Sequence, residues 1–120
     1  MSQRATPHAV VERYFQAMRA GAAAEGPLMA LFAEDARYTE PFTGTVRTHV
    51  GRAEIRRCFV TSWADPPRDL ELTVDRIDVD GTHATAEWTC TSPTFDAPVR
   101  GRDEYEIVDG EITALTVVFL

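Results

Sequence analysis

The chain has 120 residues, of which 44% are hydrophobic, and a net charge of -7 from 12 basic and 19 acidic residues. This length fits one domain spanning residues 1–120. The acidic balance argues against nucleic-acid binding, which depends on neutralising phosphates with Lys and Arg, and against an anionic membrane surface. Every basic residue is an arginine, so chemistry through a lysine Schiff base is excluded.

The N-terminal sequence and the cysteines suggest where the protein resides. The first thirteen residues lack the apolar core of a signal peptide, and no apolar run approaches the ~20 residues of a membrane span. Cys58 and Cys90 are too few for a disulfide framework, so we expect two buried thiols. Together these features predict a soluble, cytoplasmic protein.

Two helices are predicted at the start of the chain. Thr6 and Pro7 have the residue types of an N-cap and a first helical position. Apolar residues then recur at helical spacing, which predicts a helix from Pro7 to Ala23. A second, shorter helix is predicted to begin at Pro27 and to include Phe32.

A strand and a third helix follow. Residues 36–42 alternate in the manner of a strand, a polar loop comes next, and Gly51 to Trp63 predicts a helix. Within the strand, Glu40 has the parity of Ala36, Tyr38 and Phe42 and therefore shares their face. A lone carboxylate on an apolar face is costly to bury, which suggests a functional role.

The second half of the chain predicts four long strands. Apolar residues change parity near Asp75, which predicts a β-bulge or bend there. Hairpin signals occur at Asp80-Gly81 and Asp109-Gly110. The last segment, residues 112–120, is apolar on both faces and suits a central strand.

A second lone carboxylate lies in the strand predicted from Val99 to Val108. Asp103 has the parity of Tyr105, whereas Arg100 and Arg102 have the opposite parity and should point away from it. Two acids on inner strand faces of one small domain suggest a pocket with acid–base chemistry.

The predicted fold is α+β. Three helices in the N-terminal half cover one face of a curved antiparallel sheet, which closes into a cone. The interior of such a cone is a concave, mostly apolar place where small ligands usually bind.

Four segments resemble the ketosteroid isomerases and the wider nuclear transport factor 2-like (cystatin-like) superfamily, which includes SnoaL-type polyketide cyclases. The segments are VVERYF (10–15), MALFAEDARYTEP (29–41), GRAEIRR (51–57) and GRDEYEIVDGEI (101–112). The resemblance covers nearly the whole chain and implies the cone-shaped fold. The last three segments are common to the superfamily, whereas the Arg-Tyr pair of the first helix is more particular to the isomerases.

The resemblance also implies residue roles. Tyr14 matches the tyrosine of the first helix, Glu40 matches the base carboxylate before a proline, and Asp103 matches a protonated aspartic acid that donates a hydrogen bond, as in ketosteroid isomerases. In such a reaction the base moves a proton next to a carbonyl, while Tyr14 and Asp103 would stabilise the oxyanion. The chain departs from the family pattern at Glu40, where Asp is usual, and at Phe59, where a tyrosine partner of Tyr14 is expected.

The remaining predictions concern the pocket, the ligands and the partners. The residues expected to contact a substrate are Met18, Phe42, Phe59, Trp63, Trp88 and Tyr105. His8, His49 and His83 lack ligand spacing, so neither a metal nor a cofactor is predicted. The expected substrate is a small hydrophobic carbonyl compound.

Three functions remain open from the sequence. The first is isomerisation by proton abstraction next to a carbonyl, and the second is polyketide cyclisation, which begins with the same step. Epoxide hydrolysis ranks lower, because the related hydrolases have an arginine where this chain has Gly101. The third function is a non-catalytic binding or scaffold domain. In each case we expect a homodimer formed through the outer sheet face, where Thr85, Thr89 and Thr91 lie.

Overall fold

Helices cover the concave side of a single six-stranded sheet in the computed structural model, which describes residues 5–120. The helices are α1 (Pro7–Ala20), α2 (Glu25–Ala30) and α3 (Arg52–Trp63), with a 3₁₀ segment at Gly21–Ala24. The strands are β1 (Phe32–Glu40), β2 (Arg47–Val50), β3 (Glu71–Asp80), β4 (His83–Thr91), β5 (Val99–Val108) and β6 (Glu111–Phe119). The α+β class predicted from the sequence is confirmed.

Helix α1 begins where the sequence predicts but ends earlier. The Thr6 side chain accepts a hydrogen bond from the Ala9 amide at 3.2 Å, and Pro7 follows as the first helical residue. The predicted end at Ala23 is wrong, because Gly21 takes a positive φ of 65° and stops the α-helical pattern.

The segment after α1 enters the sheet sooner than predicted. Helix α2 starts at Glu25 rather than Pro27, and Phe32 belongs to β1 instead of to the helix. The Leu31 carbonyl accepts a hydrogen bond from the Ile112 amide at 2.7 Å, which fixes the start of β1 beside β6. This pairing is a long-range contact, so local periodicity does not indicate it.

The strand order is β2-β1-β6-β5-β4-β3. Strand β6 therefore lies inside the sheet, as its two apolar faces predicted. The predicted all-antiparallel sheet is wrong in one place, because β1 and β6 run parallel and the sheet is mixed. No hairpin joins these two strands, so the intervening chain is free to return β6 in the same direction as β1.

The predicted bulge and hairpins are present. The register of β3 against β4 shifts between Val74 and Arg76, and the inner face of β3 passes from Val74 to Ile77. The β3–β4 pairing closes at Asp80 opposite His83. The β5–β6 pairing closes at Val108 opposite Glu111.

The core fills the space between the helices and the inner sheet face. Tyr14, Phe32, Tyr38 and Tyr105 are almost completely buried there. Cys58 and Cys90 are both free thiols, as predicted, but each is half-buried and not buried as expected. The N-terminal stretch that lacks a signal-peptide core includes residues 1–4, which lie outside the described residues. Within residues 5–120, no helix combines the length and apolarity needed to cross a membrane.

Candidate active site

Glu40 lies at the end of β1 and is only 1% exposed, although it carries a carboxylate. Its Oε2 accepts hydrogen bonds from Arg47 Nε at 3.0 Å and from His49 Nε2 at 2.8 Å. Its Oε1 accepts the amide of Phe42 at 2.9 Å. The inward orientation predicted for Glu40 is present, and the buried charge is paired with cationic and backbone donors.

Strand β2 supplies the partners of Glu40. In its antiparallel pairing with β1, Arg47 is opposite Glu40 and His49 is opposite Tyr38. Arg47 and His49 are two residues apart and share one face, so both reach the same carboxylate. The polar residue pattern predicts a loop here, and this prediction is wrong. Three of the four residues of β2 are exposed, so the strand has no buried apolar face for the sequence to show.

Asp103 in β5 is the second buried carboxyl group, at 3% exposed. The Trp88 indole N–H donates to its Oδ1 at 2.9 Å, and the Tyr105 hydroxyl donates to its Oδ2 at 2.7 Å. Burial raises the pKa of Asp103 to about 6, and the two hydrogen bonds oppose that rise. The side chain is therefore an acid that titrates close to neutral pH.

Gly101 makes the Trp88 hydrogen bond possible. Gly101 and Trp88 are opposite each other in the β4–β5 pair. A Cβ at position 101 would overlap the six-membered ring of Trp88. The missing side chain lets the indole lie flat across β5 and reach Asp103.

Tyr14 of α1 lies beside these groups. Its ring meets that of Tyr105 edge-on, with 5.7 Å between centroids, and the Tyr38 side chain lies close enough to affect its pKa. Phe59 has no hydroxyl to offer Tyr14, as the sequence indicates, and the phenol beside Tyr14 is Tyr38 of β1. Burial raises the pKa of Tyr14, Tyr38 and Tyr105 well above the usual phenol value, which keeps them neutral.

Five of the six predicted substrate-contacting residues form two groups, and Met18 lies apart from both. Phe59 stacks on Tyr38 at 5.1 Å, and Trp63 stacks on Phe59 at 5.8 Å. Trp88 and Tyr105 surround Asp103. Phe42 is 52% exposed and lies over Trp88, with 6.5 Å between ring centroids. Met18 packs against the edge of the core.

Side chains occupy the interior around the two acids. One cavity of about 410 Å³ lies between α1 and β3, and another of about 260 Å³ is lined by residues of α1 and the α2 region. Tyr14, Glu40 and Asp103 line neither of them, and each is at most 3% exposed. A substrate that reaches these groups must displace aromatic side chains.

Sequence reasoning missed four residues around Glu40: Tyr38, Arg47, His49 and Cys58. Tyr38 shares the parity of Glu40, so its inward direction was visible, but its contact with Tyr14 was not. One donor atom from each of Glu40, His49 and Cys58 lies within 4.8 Å of the others. Cys58 comes from α3, and nothing in its local pattern indicates that neighbourhood.

The chain has the nuclear transport factor 2-like, cystatin-like fold. Residues 11–115 match the SnoaL-like domain, and the chain belongs to that family. None of the curated proteins compared with the chain matches it.

Solved structures agree with this assignment. A candidate ketosteroid isomerase from Kribbella flavida is 30% identical, with a TM-score of 0.76 over 95% of this chain and 77% of the other. A candidate polyketide cyclase from Sinorhizobium meliloti is 24% identical, with a TM-score of 0.74 over 91% and 93%. A nuclear transport factor 2-like protein of unknown function from Mesorhizobium loti is 17% identical, with a TM-score of 0.78 over 95% and 90%. The last two similarities support the fold alone.

Proposed function

We propose that this protein is a ketosteroid isomerase-like enzyme, which moves a double bond by abstracting a proton next to the carbonyl of a small hydrophobic substrate. The observation that carries the proposal is the contrast between two buried carboxyl groups. Glu40 faces the guanidinium of Arg47, whereas Asp103 faces neutral donors and has a pKa of about 6. One carboxyl group suits the ionised base and the other suits the neutral acid.

In this proposal Glu40 takes the proton and returns it further along the carbon chain. A carboxylate can perform both steps, because it serves as base in the first and as acid in the second. Removing the proton leaves negative charge on the substrate oxygen. Arg47 and His49 donate hydrogen bonds to Glu40 Oε2, so the substrate must compete with them for an oxygen of the carboxylate.

Tyr14 and Asp103 are proposed to donate to the developing oxyanion. A neutral carboxylic acid has one O–H donor and keeps acceptor capacity, so Asp103 can serve this role without losing the Trp88 and Tyr105 contacts. Donors in a site without water stabilise an oxyanion more strongly than they do in bulk solvent. Substrate binding would also favour the neutral form of Asp103 by excluding water.

Access is proposed to occur beside Phe42. This side chain is half exposed, and it contacts Trp88 and Phe119 rather than the deep core. Its displacement would uncover Trp88, which lies directly on Asp103. The substrate therefore replaces aromatic contacts of the protein with its own apolar surface.

The test follows conversion of a β,γ-unsaturated ketosteroid by the ultraviolet absorbance of the conjugated enone. Wild type is compared with Glu40→Gln, Asp103→Leu and Asp103→Asn, and with Glu104→Gln, which changes an acid on the outer face of β5. We expect Glu40→Gln to lower kcat by about 10²–10⁴-fold. Asp103→Asn should lose less activity than Asp103→Leu, because asparagine keeps a hydrogen-bond donor. Glu104→Gln should keep the wild-type rate. The wild-type kcat/KM should fall as the pH rises through about 6, since the neutral acid is lost.

The alternatives predict other results. A polyketide cyclase-like enzyme would not convert the steroid, but it would bind a phenolic analogue of the dienolate through Tyr14 and Asp103. A non-catalytic domain would show binding at most, with no reaction on any carbonyl substrate tried. Steroid turnover that survives Glu40→Gln unchanged would overturn the assignment of the base. The cytoplasmic location inferred from the sequence stays a prediction.

A further inference from the structure

A carboxylate, an imidazole and a thiol meet where β1, β2 and α3 come together. Glu40, His49 and Cys58 each offer one donor atom, and these atoms lie within 4.8 Å of one another. Across residues 5–120, this is the one group of three or more such side chains close enough to hold an ion. Each residue of the cluster follows the previous one by 9 positions (40, 49 and 58), and the three come from three separate elements.

We propose that Glu40, His49 and Cys58 form a binding site for a zinc-class divalent cation. Oxygen, nitrogen and sulfur donors of these types are the ones that Zn²⁺ uses in proteins. With metal–ligand distances of about 2.0–2.3 Å, tetrahedral geometry places the donors about 3.3–3.7 Å apart. Binding an ion must bring the Cys58 thiol closer by about 1 Å, a shift within reach of a side-chain rotation. The Glu40–His49 hydrogen bond of 2.8 Å must open by about 0.5 Å to admit the ion.

Two of the three proposed ligands are partly accessible to solvent. Glu40 is buried, but the His49 side chain is 16% exposed and Cys58 is half-buried. An ion can therefore enter from the side of His49 and Cys58 and keep one position for water. Three protein ligands with an open fourth position are typical of zinc sites that bind an exogenous molecule.

The hydrogen bonds of Glu40 fit a supporting role around an ion. Ligating carboxylates are usually held by donors in a second layer. The amide of Phe42 holds Oε1, and Arg47 reaches Oε2. Arg47 opposes a cation, but its side chain is 46% exposed, so solvent screens that repulsion. A thiolate and Glu40 together supply two negative charges, so a bound divalent ion and Arg47 leave the site with one net positive charge.

The Cys58 thiol must lose its proton before it can bind a cation. Burial and the charge of Glu40 raise the pKa of this thiol, so the free protein holds it protonated. A coordinating cation reverses that preference and expels the proton. Affinity should therefore increase as the pH rises, because each binding event releases a proton.

The proposal goes beyond the isomerase-like function and does not depend on it. A bound ion would occupy Glu40 and remove it as a base, so metal binding and proton abstraction at this residue exclude each other. Binding is measured without any substrate, so its failure leaves the proposed reaction untouched.

The experiment titrates Co²⁺ into the reduced, chelator-treated full chain and records the absorption spectrum, followed by competition with Zn²⁺. We expect a thiolate-to-cobalt charge-transfer band that saturates at one ion per chain and disappears when Zn²⁺ displaces the cobalt. Cys58→Ser should abolish the band, and His49→Gln should weaken binding at least about tenfold. Cys90→Ser is the matched control, because Cys90 is also a half-buried free thiol, and it should behave as wild type.

Other outcomes would reject the site. Absence of the band in wild type, or its survival in Cys58→Ser, would show that the cluster does not bind the ion. Loss of the band in Cys90→Ser as well would indicate ions bridging two chains, which also contradicts a site within one chain. If circular dichroism shows that Cys58→Ser does not fold, the His49→Gln variant decides the test. Wild-type affinity for Co²⁺ in that variant would overturn the proposal.

Discussion

Glu40 and Asp103 differ mainly in the charge of the groups that face them. Arg47 and His49 reach the carboxylate of Glu40, whereas Asp103 receives hydrogen bonds from the uncharged Trp88 and Tyr105. Hydrogen bonds from neutral donors offset only part of the cost of burying a negative charge. The folded state therefore favours the protonated form of Asp103.

The raised pKa of Asp103 makes stability depend on pH. Its pKa rises from 3.8 to about 6 on folding, so the folded state binds more protons than the unfolded state within that window. Stability should fall as the pH rises from about 4 to about 6, by about 3 kcal/mol for a change of about two pKa units. Urea unfolding at several pH values should show this slope in wild type and not in Asp103→Asn. The exposed Asp96→Asn serves as control, and equal slopes in wild type and Asp103→Asn would contradict the prediction.

Gly101→Ala should displace Trp88 and destabilise the protein. The new methyl group would overlap the indole ring, so the ring must move and release its hydrogen bond to Asp103. Overpacking and a lost bond to a buried carboxyl group together should cost about 3 kcal/mol. The matched control is Gly26→Ala, since nothing lies within 4 Å of a Cβ built there. Thermal unfolding of the two variants tests this, and an unchanged melting temperature in Gly101→Ala would show that the sheet adapts without cost.

Arg52 joins helix α3 to the start of β1. Its Nε and Nη2 donate to the Phe32 carbonyl at 2.9 and 2.7 Å. The pairing of β1 with β6 shifts between Phe32 and Arg37, and Arg52 provides hydrogen bonds to the strand at this irregularity. The contact positions α3, which carries Cys58 and Phe59 towards the interior.

Replacing Arg52 should therefore weaken the fold. We expect Arg52→Ala to lower the free energy of unfolding by about 1–3 kcal/mol, because it removes donors from a buried carbonyl. Arg57→Ala is the control from the same helix, since Arg57 is 74% exposed and pairs only with Glu54 among the ion pairs described. That variant should change stability by less than about 1 kcal/mol. Equal unfolding midpoints for the two variants in urea would contradict a structural role for Arg52.

Several elements follow from local patterns and several do not. The Thr6–Pro7 start, the Val74 bulge and the two hairpins depend on residues that are neighbours in the chain, so composition and parity indicate them. Strand β2 was missed because it is a four-residue edge strand with one half-buried residue. This strand forms because it pairs with β1, and a pairing between strands cannot be read from the residue pattern of β2 alone.

The assembly of the whole molecule is a prediction that mass in solution can test. Thr85, Thr89 and Thr91 are half-buried on the outer face of β4, and we expect this face to form a homodimer. Thr85→Arg should break the dimer without harming the monomer, because Asp78 and Glu104 lie in register with Thr85 on the adjacent strands. Light scattering at micromolar concentration should give a dimer mass for wild type and for the loop control Thr43→Arg, and a monomer mass for Thr85→Arg. A monomeric wild type would reject the interface.

The amino-acid sequence alone determined the α+β class, the parity of Glu40 and Asp103, and the central place of β6. Each of these depends on periodicity within one element, where side-chain direction follows from backbone geometry. The parallel β1–β6 pair, the Tyr14–Tyr38 contact and the meeting of Glu40, His49 and Cys58 were decided by tertiary packing. These contacts join elements that are distant in the chain, and their geometry depends on how the helices and the sheet fill the shared core.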